Sequence, residues 1–138
     1  LRIAVVDGQG GGIGKVIVEK LKKELPGNVV ITALGTNSAA TVSMLKAGAD
    51  EGATGENAII YNAAKVDIIV GVIGIIAANA MMGELTPSIA RAISESPARK
   101  ILIPLNRCNI EIAGIGNESL PQLIDKAVAL VKSVIANE

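Results

Sequence analysis

Ile3-Ala4-Val5-Val6 is an apolar run closed by Asp7, and after a glycine-rich stretch Ile13, Ile17, Leu21 and Leu25 recur at helical spacing with Glu19, Lys22 and Lys23 on the other face. The pattern predicts a buried strand, a loop and an amphipathic helix ended by Pro26-Gly27. Val29 to Leu34 reads as a second strand, Gly35-Thr36-Asn37-Ser38 as a loop offering helix caps, and Ala39 to Ala47 as a short helix closed by Gly48. Ala49 to Ala53 is a weak third strand. Thr54-Gly55-Glu56 opens a segment through Lys65 read as helix, with an extended conformation over Ala58 to Tyr61 as the alternative. Asp67 to Ile73 is a strongly β-branched fourth strand, followed by a long apolar loop through Met81, Met82 and Gly83. Thr86 caps the next helix, with Pro87 in its first turn. Arg99 to Leu105 gives a fifth strand and Ile110 to Ile115 a short edge strand. Leu120-Pro121 then leads into a last helix with Leu123, Ile124, Ala127, Val128, Val131 and Ile135 inward.

Strands alternating with helices predict an α/β fold: one doubly wound, Rossmann-like, three-layer domain over residues 1–138, with a mainly parallel sheet in the order 3-2-1-4-5. In such a sheet ligands bind beyond the C-terminal ends of the strands. Asp7 and Gln9, Thr36 and Asn37, Thr54, Glu56 and Asn57, Asn79 and Glu84, and Asn106 to Asn109 all fall there.

Composition narrows the partners. The 138 residues are 50% apolar but contain neither Phe nor Trp, and Tyr61 is the single aromatic, so the core is built from aliphatic side chains. Lys and Arg balance Asp and Glu at 13 each, and no basic block is interleaved with aromatics, so a nucleic-acid partner is not expected. The apolar passage from Val66 to Met82 is interrupted by Asp67 and Asn79 and falls short of a membrane span. Cys108 is the only cysteine and histidine is absent, which excludes internal disulfides, Ser-His and Cys-His nucleophile pairs and histidine metal ligands. With no charged-then-apolar leader in view, a cytoplasmic setting is the expectation.

The candidate chemistry is concentrated in Asp7-Gly8-Gln9-Gly10-Gly11-Gly12-Ile13-Gly14-Lys15. Glycines between a strand and a helix admit positive φ and close ligand approach, and the helix N-terminus offers N–H groups to a phosphate. Read from Gly8 to Gly14, the loop resembles that of short-chain dehydrogenases, which implies a pyrophosphate of NAD(P). Asp7, however, replaces a small hydroxyl residue, and strand two ends in Gly35-Thr36-Asn37 instead of the acidic residue that holds the adenosine ribose. Read from Gly10 to Val16, it resembles the core of deviant P-loop ATPases, with Lys15 meeting a phosphate. Val16 then stands where Mg²⁺ needs a hydroxyl, and Gly10 where the signature lysine belongs. The ligand class implied is a nucleotide or dinucleotide phosphate, NAD(P) or another nucleotide, held by Gly8, Gln9, Gly10, Gly11, Gly12, Ile13, Gly14 and Lys15, with Thr36, Asn37 and Asn106 lining the crevice.

Other groups are weaker candidates. Tyr61 and Lys65 match a Tyr-x-x-x-Lys spacing but lie far from where short-chain dehydrogenases place that pair, so a chance pair with Tyr61 half-buried and Lys65 solvated is expected. Arg107 is a possible anion clamp and Cys108 a possible thiolate, although free cysteines are usually core residues. Asp50, Glu51 and Glu56 could join Asp7 around a cation, but a solvated loop explains them as well, and no metal site is assigned. Met81 and Met82 suggest a subunit contact, so a homo-oligomer, by default a homodimer, is expected. A ligand-free regulatory or scaffold homo-oligomer using Ile73 to Met82, and a small enzyme using Asp7, Glu56 or Cys108, are the alternatives to a nucleotide-binding protein.

DGQGGGIGK at the start, LGTN and GATGEN in the middle and ILIPLNRCN near the end together resemble a family of small bacterial proteins known as a domain of unknown function. That resemblance implies a Rossmann-like fold and a bacterial cytoplasmic setting. It carries no catalytic residue to transfer.

Overall fold

The computed structural model describes residues 1–105 and 109–137. Five parallel strands, β1 (Arg2–Asp7), β2 (Val30–Gly35), β3 (Glu51–Thr54), β4 (Ile68–Val72) and β5 (Arg99–Ile103), form one sheet in the order 3-2-1-4-5. Five helices join and flank them: α1 (Gly12–Glu24), α2 (Ser38–Lys46), α3 (Glu56–Ala63), α4 (Pro87–Glu95) and α5 (Leu120–Ala136).

β1 is central because both of its faces are apolar. Ile3 and Val5 pack with Ile17 and Leu21 of α1 and Leu123, Ala127 and Val128 of α5. Ala4 and Val6 point the other way, against Ile59 of α3 and Ile89 and Ile93 of α4. This period-2 division between two helical layers lets a run of consecutive apolar residues be wholly buried. α4 begins as its sequence predicts, with Thr86 accepting from the Ile89 N–H at 3.1 Å and Pro87 in the first turn. At α5, Ser119 and Gln122 form a reciprocal capping box.

Residues 110–115, expected as an edge strand, form none. Asn109 (φ 56°) and Gly114 (φ 89°) turn the backbone instead, and the Ile115 N–H closes onto the Ile112 carbonyl at 3.4 Å. Pro104, which has no N–H to give a ladder, ends β5 two residues earlier than the apolar pattern suggests. The apolar loop after β4 contains one turn of 3-10 helix, Ile73–Ile76.

Candidate functional site

The chain moves outward from β1 to β2 and β3, then crosses back to β4 on the other side of β1. Connections leaving the C-terminal ends of β1 and β4 therefore diverge and open a crevice between them. The glycine loop lies at that point.

Its geometry starts from Asp7. This residue is 7% exposed; its Oδ1 accepts from the Gly8 N–H at 2.8 Å and its Oδ2 from the Gly14 N–H at 2.6 Å. One carboxylate thus fixes both the departure from β1 and the first turn of α1. The Gly11 N–H closes a turn onto the Gly8 carbonyl at 3.0 Å. Gly11 has φ 74°, and a Cβ there would lie 2.7 Å from Cα of Ala40, so this glycine is required by the fold. Gly14 is required for packing, since a Cβ would meet Met44 Sδ at 2.7 Å and Asp7 Cβ at 2.8 Å.

Gly10 and Gly12 differ. Neither has a positive φ, and a Cβ at either position would have nothing within 4 Å. No hydrogen bond among the described residues uses the N–H of Gly10, Gly12 or Ile13. The three residues line a cavity of about 520 Å³, within the range of small-molecule sites. The described lining runs from Asp7 to Ile13 and Val16, through Val72 and Gly74 after β4 and Ala80 to Met82, to Leu105 after β5 and Leu120 and Ile124 of α5. Among these residues Asp7 alone is charged. The glycine loop therefore meets a wall that is apolar among the described residues.

Several expected contacts fall elsewhere. Gly14 and Lys15 are outside the described lining, because the Gly14 N–H is held by Asp7 and Lys15 lies on the exposed side of α1. Thr36 and Asn37 are outside it too, because both side chains are engaged by Glu84. Thr36 Oγ1 donates to Glu84 Oε1 at 2.7 Å, Asn37 Nδ2 to the same oxygen at 2.8 Å and to the Gln9 carbonyl at 2.9 Å, and the Gln9 N–H to Glu84 Oε1 at 2.8 Å. Asn37 Oδ1 caps α2 by accepting from the Ala40 N–H. Asn106, with Arg107 and Cys108, lies outside the described residues.

Glu84 lies beyond the C-terminal end of β4, as its sequence position suggests, but its hydrogen bonds to the glycine loop and β2 are not visible in the sequence. It ties the segment before α4 to the glycine loop and to the end of β2, across 75 and 48 residues of chain. The Gln9 N–H, followed by the Thr36 hydroxyl and the Asn37 amide, holds its carboxyl below the ordinary Glu value of 4.5, against an opposing effect of burial. A lowered folded-state pKa gives stability that is present above the unfolded value and lost as pH falls through the folded one. Glu84→Gln is therefore expected to flatten part of the loss of thermal stability between neutral pH and the acid side of the Glu range, measured as Tm against pH.

The acidic residues considered for a cation are not brought together. Asp50 accepts from Lys22 Nζ and the Ile31 N–H, Glu51 pairs with Arg2, and Glu56 accepts from Thr86. The reason is topological: Glu51 begins β3, while Asp7 is aligned through Gly35 with Thr54 at that strand's far end. Tyr61 is exposed, with Lys65 Nζ 4.6 Å from its ring centroid, a surface cation–π pair on α3 and its C-terminal flank.

A family model described as Domain of unknown function (DUF3842) matches residues 2–136. The chain belongs to this family. No curated protein matches the DUF3842 chain in sequence. Among solved structures, it is similar to a dodecameric FMN-dependent UbiX-like decarboxylase from Escherichia coli O157:H7, at 13% identity and a TM-score of 0.53, over 99% of this chain and 95% of the other. At that identity the likeness is one of fold. No described helix is long and apolar enough to cross a membrane.

Proposed function

We propose that this DUF3842 protein is a ligand-binding domain that holds the phosphate of a nucleotide or dinucleotide on Gly10, Gly12 and Ile13. One observation carries the reading. The cavity at the switch point of the sheet is lined by Gly10, Gly12 and Ile13, whose amides have no hydrogen bond among the described residues, and at Gly10 and Gly12 a Cβ would meet nothing within 4 Å. Neither of these glycines has a positive φ, and their missing side chains leave space above the loop. The N-terminus of α1 adds the positive end of a helix dipole.

Asp7 does not oppose this reading in the way a free carboxylate would, because its oxygens are directed into backbone amides. The FMN dependence of the structural neighbour adds flavin mononucleotide, one phosphate on a flat ring system, to the ligands worth testing. That neighbour is dodecameric, and Met82, 96% exposed beside the cavity mouth, is consistent with a homo-oligomeric contact in this chain as well.

The test is thermal unfolding with flavin mononucleotide, AMP, ADP, ATP, NAD, NADP and coenzyme A. A ligand at one hundred times its Kd adds about 2.7 kcal/mol of stability. At least one phosphorylated compound should raise Tm while its dephosphorylated counterpart gives a smaller rise. No rise with any of them contradicts the reading.

A further inference from the structure

We infer that the ligand contains one nucleotide unit, with a single flat ring directed toward β4, β5 and α5, and that a dinucleotide is excluded. This inference rests on the proposed phosphate site and concerns the direction in which the ligand leaves it. In a sheet of this order a dinucleotide spans the crevice, with one half over β2 and the other over β4 and β5. Here the two sides of the glycine loop are unlike each other.

The β2 side is closed. Glu84 reaches across it, and one carboxylate oxygen receives hydrogen bonds from Gln9, Thr36 and Asn37. Those donors would otherwise face a ribose or a second phosphate. The closure is also steric: a Cβ on Gly8 would stand 2.6 Å from Met81 Sδ and 2.6 Å from Thr36 Oγ1, so the segment carrying Met81 and Glu84 is packed directly on the loop. A second nucleotide would have to break the Glu84 bonds and place its negative charge beside that carboxylate, which its donors keep ionised.

Among the described residues the other side is apolar. Val72, Met81, Leu105, Leu120 and Ile124 line the cavity beyond the loop. Aliphatic and thioether surfaces of this kind bury the face of a flat ring and stabilise it by contact area and by the polarisable sulfur. The site therefore selects a phosphate and one ring on the same side of β1.

Isothermal titration with flavin mononucleotide, AMP, riboflavin, NAD and NADP tests this, using the intact protein and the variants Leu120→Gln and Glu84→Ala. At least one mononucleotide should bind ten times or more tighter than NAD and NADP. Leu120→Gln, at the partly exposed first turn of α5, should weaken that mononucleotide, while Glu84→Ala should narrow its preference over NAD. NAD or NADP binding as tightly as the mononucleotides to the unaltered protein overturns the inference and leaves the phosphate site standing. If none of the phosphorylated compounds binds, the phosphate site falls and this inference with it. The wild-type ratio decides the matter even if a variant folds poorly.

Discussion

Asp7→Ala lowers the folding free energy by about 3 kcal/mol, read from urea unfolding, because it strips the acceptor from two backbone donors at once. The Gly8 N–H and the Gly14 N–H both end on this carboxylate, which is 7% exposed. Each bond to a charged acceptor contributes about 1.5–3 kcal/mol, and a buried donor left without a partner costs about 1–3 kcal/mol. The effects overlap, so their full sum is not expected. Asp7→Asn should fall between wild type and alanine, since one amide oxygen can replace only one of the two acceptors. A loss below about 1 kcal/mol for alanine would mean that water or a neighbouring group satisfies both amides. Asp7 is thus the support on which the loop and the start of α1 are built, which is why a carboxylate occurs at a place where dinucleotide sites carry none.

The second large effect separates two glycines that are adjacent in sequence. Gly11→Ala should cost about 3 kcal/mol, combining a left-handed backbone conformation with an overpacked contact. The clash is with the backbone of Ala40, which cannot rotate away as a side chain would. Gly12→Val should change stability by no more than about 0.5 kcal/mol, as for a surface position. Its effect belongs to the ligand: a branched side chain would occupy the space over the amides of Gly12 and Ile13, and affinity for a phosphorylated ligand should fall at least about tenfold, or 1.4 kcal/mol. Unfolding curves and titrations on the same two variants give opposite rank orders if the assignment holds. Equal losses of stability would show that Gly12 serves the fold after all.

The main fold was legible because it is written in local patterns. Continuous apolar runs such as Ile3 to Val6 and Ile68 to Val70 belong to strands buried on both faces, and the alternation with helices leaves few arrangements of a parallel sheet. The strand order 3-2-1-4-5 is one of the few doubly wound arrangements that this alternation allows. Ile110 to Ile115 misled for a local reason: its apolar residues suit an edge strand, but the turns at Asn109 and Gly114 prevail and leave Ile112 and Ile115 exposed.

The candidate site was legible only in part, and the division has a physical cause. Glycines at a strand-to-helix junction advertise a loop by composition alone, so the span from Gly8 to Ile13 could be read directly. The closure over β2 could not. It depends on Glu84 meeting Gln9, Thr36 and Asn37 across the fold, and on Asn79, Met81 and Met82 adopting positive φ at 66°, 59° and 57°, which no propensity of methionine foretells. Thr36 and Asn37 are polar groups just beyond the C-terminal end of β2, where such sheets bind ligands. Their hydrogen-bonding capacity is directed to a partner that sequence spacing does not reveal. Lys15 shows the same limit, because its place beside the glycines in sequence becomes a place on the outer face of α1 once the helix turns.

The most direct test of a phosphate held on the glycine loop is a backbone amide NMR titration of the ¹⁵N-labelled protein with flavin mononucleotide and AMP, each compared with its dephosphorylated counterpart. Binding at this cavity predicts that the amide signals of Gly10, Gly12 and Ile13 move most with a phosphorylated ligand, while Gly27 and Gly48, remote in the loops after α1 and α2, stay in place. Shifts centred on any other part of the chain, or no shifts with either nucleotide, would contradict it.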